Sequence, residues 1–180
     1  MHNATFQWTG KPPIERLTYD SQGRLVTVTA TSNGQPAVVL TTQYADDSQQ
    51  RSSLSATIDG LADFLTNYQY DSAGNVTQIT QTGQTGGNAV ADKRVSFSYA
   101  GNGQLLAIQR YQADQLVAAS QYTYGSLGQL AALVHAQGST PLASYSFTYA
   151  GEQEGQATAY SLVSAEDICW LPSPGVDTSG

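Results

Sequence analysis

Apolar and polar side chains alternate in short runs that break at glycine. Val95, Phe97 and Tyr99 alternate with Ser96 and Ser98. Tyr145, Phe147 and Tyr149 alternate with Ser146 and Thr148, and Tyr122 and Tyr124 with Gln121 and Thr123. A period of two puts the aromatics on one face and predicts half-buried strands. Each run stops at a tyrosine, and four residues ending in glycine follow: 20–23, 71–74, 100–103 and 125–128. The first two open with Asp20 and Asp71, and the four close on Gly23, Gly74, Gly103 and Gly128. Asp first and Gly fourth is type I turn chemistry. The carboxylate accepts from the turn's own N–H groups, and glycine tolerates a positive φ. Apolar return runs follow at 25–28, 76–79, 105–108 and 130–134, and these end in more turn residues at 32–36, 112–114 and 137–139.

One unit therefore reads as strand, tight turn, return strand, looser turn. About 25 residues supply two strands of roughly 8 residues, or about 27 Å each. Such connections are too short for parallel crossovers, so the expected sheet is an antiparallel meander. The pivot tyrosines are Tyr19, Tyr44, Tyr70, Tyr99, Tyr124 and Tyr149, spaced by 25, 26, 29, 25 and 25 residues. The one long spacing holds a glycine-rich insertion at 83–88. The period predicts about six tandem hairpins. The copies at Tyr19, Tyr70, Tyr99 and Tyr124 are firm, and those at Tyr44 and Tyr149 are degenerate. Residues 53–65 have some helical character, but β-branched Thr57 and Ile58 and the in-phase Tyr44 favour a strand.

A hairpin of this size cannot bury its face alone, so stability must come from stacking in register. Aromatic ladders are expected across strands, with the pivot tyrosines in the core. The return strands carry apolar residues on both faces, as at Leu105 and Leu106, which suits a sheet curved enough to half-cover both sides. The open, curved, twisted all-β sheet so predicted has two unpaired edges, and the isolated segment is expected to self-associate through them. The expected organisation is an irregular segment or entry strand at 1–15, the repeat array at 16–160 and a non-repeat tail at 161–180.

Composition narrows the class. Only 12% of residues are charged, and the net charge is −7 from 7 basic and 14 acidic side chains. A chain so poor in Lys and Arg is unsuited to neutralising phosphates, which argues against nucleic acid. No stretch approaches 18 consecutive apolar residues, so no transmembrane segment is expected. The first residues lack a basic region followed by an apolar run, so no signal peptide is expected in this chain. A single cysteine, Cys169, excludes an intrachain disulfide.

The run Arg16-Leu17-Thr18-Tyr19-Asp20-Ser21-Gln22-Gly23-Arg24-Leu25 resembles the RHS/YD repeat family. That signature reads Arg, aromatic, any residue, Tyr, Asp, two residues, Gly, Arg, Leu. Residues 68–76 match nearly as well, with Asn75 in place of Arg. Ala100 and Gly125 stand where the other copies lose Asp. The resemblance covers about residues 14–160. It implies a segment of a large secreted or cell-surface protein whose repeats wind into a hollow β-shell, as in bacterial toxins and animal teneurins. The implied partners are adjoining repeats or an enclosed toxin cargo. Six repeats are too few to close a shell, and residues 172–180 do not match the family's self-cleaving region.

Few residues call for chemistry beyond the repeat. Cys169 and His135 resemble a nucleophile and base, but no motif links them, and a packed or tail cysteine is the favoured reading. His2 and His135 are the only histidines, too few for a His-based metal cluster. Asp46, Asp47, Asp59 and Asp63 offer oxygen ligands without a calcium-loop spacing, so turn and surface roles are expected. Asp20 and Asp71 are accounted for by their turns. The sequons at Asn3 and Asn75 matter only in a eukaryotic secretory setting. The reading is a structural scaffold segment with no cofactor, metal or catalytic residue. The alternative is a module binding carbohydrate or a partner protein through the sheet face or the 83–94 loop.

Overall fold

The computed structural model describes residues 15–32, 35–46, 48–149 and 157–162. The candidates His2, Asn3, Asp47 and Cys169, and most of the expected tail, lie outside the described residues. Twelve strands make up the rest: β1 Glu15–Tyr19, β2 Leu25–Ser32, β3 Gln35–Tyr44, β4 Arg51–Ile58, β5 Leu61–Tyr70, β6 Val76–Gly83, β7 Lys93–Tyr99, β8 Leu105–Gln112, β9 Gln115–Tyr124, β10 Leu130–Gln137, β11 Thr140–Tyr149 and β12 Ala157–Leu162. All six pivot tyrosines are the last residue of an odd-numbered strand. The ambiguous stretch 53–65 is strand on both sides of an Asp59-Gly60 turn. Strand β12 runs to Leu162, just past the array boundary expected at 160.

The chain forms two compact units. The first holds β1 to β4, β5 as far as Gln69, and residues 80–92; the second holds residues 70–79 and β7 to β12. Strand β6 gives residues to each. Within each unit the strands lie in chain order, and each pair with a described register is antiparallel. The meander expected from short connections is therefore present.

The two ends of the hairpins differ from expectation. The turns expected to be loose are the tight ones. Ile58 pairs with Leu61, Gln112 with Gln115 and Gln137 with Thr140, leaving two-residue turns. Asp59 and Gly60 have φ of 49° and 79°, and Ala113 and Asp114 have 45° and 61°. Paired positive φ values mark type I′ turns, whose twist matches that of the flanking strands. Ala113 hides this from a sequence reading because it is a poor left-handed residue.

The far ends with a described register also carry a β-bulge. Arg110 pairs with Ala118 and Tyr111 with Leu116, leaving Val117 as the extra residue. His135 pairs with Ala143 and Ala136 with Pro141, leaving Leu142 extra. The bulge adds one residue to β9 and one to β11, which are ten residues long against eight in β8 and β10. It also reverses which face the residues beyond it occupy.

The described residues contain little conventional core. Ala56 and Ala143 are the buried hydrophobics among them, with small polar Ser53, Thr66 and Ser120 also buried. Strands β6 and β10 are half-buried at almost every position, so both faces of the return strands are partly covered. The pivot tyrosines Tyr44, Tyr70, Tyr99, Tyr124 and Tyr149 are half-buried rather than core, and Tyr19 is 58% exposed. A sheet with so few buried side chains depends on its backbone ladder and on whatever locks one hairpin to the next.

Candidate functional site

The repeated feature is the corner that follows each pivot tyrosine. In four corners the backbone makes the same two hydrogen bonds. Gly23, Gly74, Gly103 and Gly128 N–H donate to the carbonyls of Asp20, Asp71, Ala100 and Gly125 at 2.9–3.1 Å. Those first residues donate in turn to the carbonyls of Arg24, Asn75, Gln104 and Gln129 at 2.8–3.0 Å. The four glycines have φ of 76°, 88°, 84° and 84°. This is a type I turn followed by a left-handed glycine bulge, the usual closure of a three-residue hairpin loop. The second corner lacks the glycine and is one residue longer, closing through Ala45 N–H to Gln50 O.

Where aspartate is present both of its oxygens accept hydrogen bonds. Asp20 Oδ1 accepts from the Gln22 and Arg24 amides at 2.9 Å each, and Oδ2 accepts from Arg24 Nε at 2.7 Å. Asp71 repeats the pattern with the Ala73 and Asn75 amides at 2.9 Å and Asn75 Nδ2 at 3.0 Å. These bonds favour the ionised form. The Arg24 amide holds Asp20 below the ordinary aspartate pKa, and the Asn75 side-chain amide does the same for Asp71. In the fifth corner Gln129 fills the missing carboxylate's space. Its side chain lies 3.2 Å from where a Cβ on Gly125 would stand, and its buried Oε1 has no partner among the described residues.

The tyrosine hydroxyls join hairpin to hairpin. Tyr44 donates to Leu25 O at 3.0 Å, Tyr99 to Val76 O at 2.9 Å, Tyr124 to Leu105 O at 2.9 Å and Tyr149 to Leu130 O at 2.7 Å. Each acceptor is the first residue of the preceding return strand. Three of these sites share one register. The backbone pairs end at Thr27 with Thr41, Ala107 with Gln121 and Ala132 with Ser146. The acceptors Leu25, Leu105 and Leu130 lie two residues beyond that last pair. The hydroxyl thus satisfies a carbonyl that the ladder does not reach. The predicted aromatic ladder is absent among the described residues, where the one ring–ring contact is His135 edge-on to Tyr145 at 6.2 Å.

A second link leaves from the residue after the glycine. Arg24 Nη1 donates to the Asp46 and Ser48 carbonyls of the next corner at 2.8 and 2.5 Å, and its guanidinium lies 4.6 Å from the centre of the Tyr44 ring. Gln104 Nε2 donates to Gly128 O in the next corner at 2.8 Å. Asn75 holds the same position, but its short side chain is turned onto Asp71. Beside it a cleft of about 300 Å³ opens, lined by Asp71, Asn75, Thr77, Phe97, Tyr99 and the 100–103 turn.

The remaining candidates have structural roles. Asp63 accepts from Asn88 Nδ2 at 3.1 Å, and Asp59 sits in its turn. No group of three metal-ligating side chains occurs among the described residues. The 83–94 insertion is tied to β5: Asn88 N–H donates to Ala62 O at 2.8 Å and Gln84 Nε2 to Phe64 O at 3.0 Å. At Gly87 a Cβ would lie 2.1 Å from Ala62 O, so the contact requires glycine. A serine–histidine pair also emerges, with Ser120 Oγ 2.9 Å from His135 Nδ1 and 3.3 Å from Arg110 Nη1. Ser120 is 1% exposed, so the pair lies within the packed part of the sheet and not at its surface. No described helix is long and apolar enough to cross a membrane, which says nothing of crossing by strands.

No family model matches the chain, and no curated relative does. Among solved structures, a porin-like protein from Bacteroides uniformis is similar at 17% identity, with a TM-score of 0.41 over 74% of this chain and 52% of that one. The chain spans about half the length of that protein. A likeness at that level carries no argument about fold or function.

Proposed function

We propose that this chain is a non-catalytic scaffold segment of a secreted or cell-surface protein of the RHS/YD type. Its hairpins would form part of a β-shell that encloses or presents another domain, such as a toxin cargo. The observation that carries this reading is the repeated tyrosine staple. In four hairpins the tyrosine hydroxyl reaches the previous return strand, at Leu25, Val76, Leu105 and Leu130. The motif's conspicuous residues are thereby used in holding repeats together, and a device that joins each copy to the one before suits an extendable array. Tyr19 supports the same reading. Its ring is exposed, and its hydroxyl has no partner among the described residues. A return strand from a further hairpin beside β1 would supply the carbonyl that Leu25 supplies to Tyr44.

Electron microscopy of the complete gene product carrying this segment tests the proposal. A hollow, β-walled particle is expected; a compact domain without an interior contradicts the shell. Light scattering of the segment tests the extendable edge. Concentration-dependent association is expected, and a strictly monomeric species up to about millimolar concentration contradicts it.

A further inference from the structure

The geometry points to a binding site for a guanidinium group in the cleft between the 71–75 and 100–103 corners. This goes beyond the scaffold reading and does not depend on it. The argument is internal to the molecule, because the same inter-corner position is filled elsewhere by the chain itself. Between the first and second corners, Arg24 forks from Asp20 to two turn carbonyls and lies over Tyr44. Between the fourth and fifth, Gln104 reaches Gly128 O. Between the third and fourth, the residue is Asn75, which bonds only its own Asp71 among the contacts described and leaves a cleft of about 300 Å³.

The acceptors that Arg24 uses have counterparts there. Asp71 stands in the place of Asp20, with the same two amide bonds to Oδ1. Its Oδ2 accepts one bond, from Asn75, and a carboxylate oxygen has room for a second. Gly103 occupies the position of Gly128, whose carbonyl receives Gln104. Tyr99 matches Tyr44 and lines the cleft beside Phe97, offering an aromatic wall to a flat cation. A guanidinium presents several N–H donors in one plane and can bond the Asp71 carboxylate and a turn carbonyl together. An ammonium group is a point charge and matches this arrangement less well.

The test is a titration of the intact chain, followed by the amide resonances of residues 71–77 and 97–103 at constant ionic strength. The probes are N-acetyl-arginine amide, N-acetyl-lysine amide and the peptide Gly-Arg-Leu. Saturable shifts confined to those residues are expected for the arginine probe, with a Kd on the order of millimolar. The lysine probe should bind several-fold more weakly. Asn75→Arg should fill the cleft from within, keep the β-sheet circular dichroism and weaken arginine binding by about tenfold or more. Asp71→Asn should weaken it similarly. Tighter binding of the peptide than of the blocked arginine would assign the site to an arginine carried on a partner chain, and equal binding to the free group. Equal, non-saturating shifts with arginine and lysine, or unchanged arginine binding in the folded Asn75→Arg variant, would overturn the inference.

Discussion

Two corners of this molecule carry an aspartate and two do not, yet all four have the same backbone. The turn bonds at Asp20 and Asp71 span 2.9–3.1 Å, and those at Ala100 and Gly125 span 2.8–2.9 Å. The glycine φ values are equally close, at 76° and 88° against 84° and 84°. Aspartate therefore does not create the corner. The left-handed glycine and its bulge do, and the carboxylate adds acceptors for two amides already placed by the turn. This explains how repeats can lose Asp and remain in register while their glycine is retained.

The largest effect should follow from removing that shared element. A Cβ at Gly23 or Gly103 would meet nothing within 4 Å, so substitution there costs only backbone conformation. Gly23→Ala and Gly103→Ala should each destabilise by about 1–2 kcal/mol in urea unfolding. Equal losses in the acidic and the acid-free corner are expected. A harmless Gly103→Ala would show that the two corner types differ after all.

Acid should separate the corners. The folded-state pKa values of Asp20 and Asp71 lie below the unfolded value of about 3.9. Their contribution is present above that value and is lost as pH falls through it toward the folded pKa. Melting temperature should drop between about pH 5 and pH 2, and the Asp20→Asn, Asp71→Asn double variant should show a shallower drop. An unchanged acid dependence in that variant would remove the carboxylates from the account. The smallest effect is a transplant. Gly125→Asp with Gln129→Asn should rebuild the Asp71 arrangement, replace the unpartnered Gln129 oxygen, and raise the melting temperature at neutral pH more than at pH 2.

Much of the fold was legible in the chain. Alternation and the short connections pointed to the antiparallel meander, the turn glycines to four of its corners, and Thr57 and Ile58 correctly favoured strand at 53–65. The far turn at Ala113-Asp114 is hidden because no glycine announces its two positive φ values, whereas Gly60 and Gly138 do mark the equivalent turns. The period of the tyrosines predicts an aromatic ladder and a core, and the structure has neither at these positions among the described residues. Their actual use was invisible because the partner is a main-chain carbonyl, 19 residues back for Tyr44, Tyr124 and Tyr149, and a carbonyl has no sequence signature. Arg24 was legible as part of a motif but not as a bridge, since its acceptors at Asp46 and Ser48 are also backbone atoms. The cleft beside Asn75 follows only from seeing that its counterparts reach the next corner and it does not.

The central claim is that the tyrosine hydroxyl, more than the ring, joins hairpin to hairpin. Urea unfolding of Tyr→Phe variants at 19, 44, 124 and 149 tests it directly, because the ring is kept and one oxygen is removed. Losses of about 0.5–1.5 kcal/mol are expected at Tyr44, Tyr124 and Tyr149, where a half-buried donor leaves a carbonyl unpaired. Tyr19→Phe should stay within about 0.5 kcal/mol of the parent. Equal effects at all four positions, or none at the three stapled ones, would contradict the account.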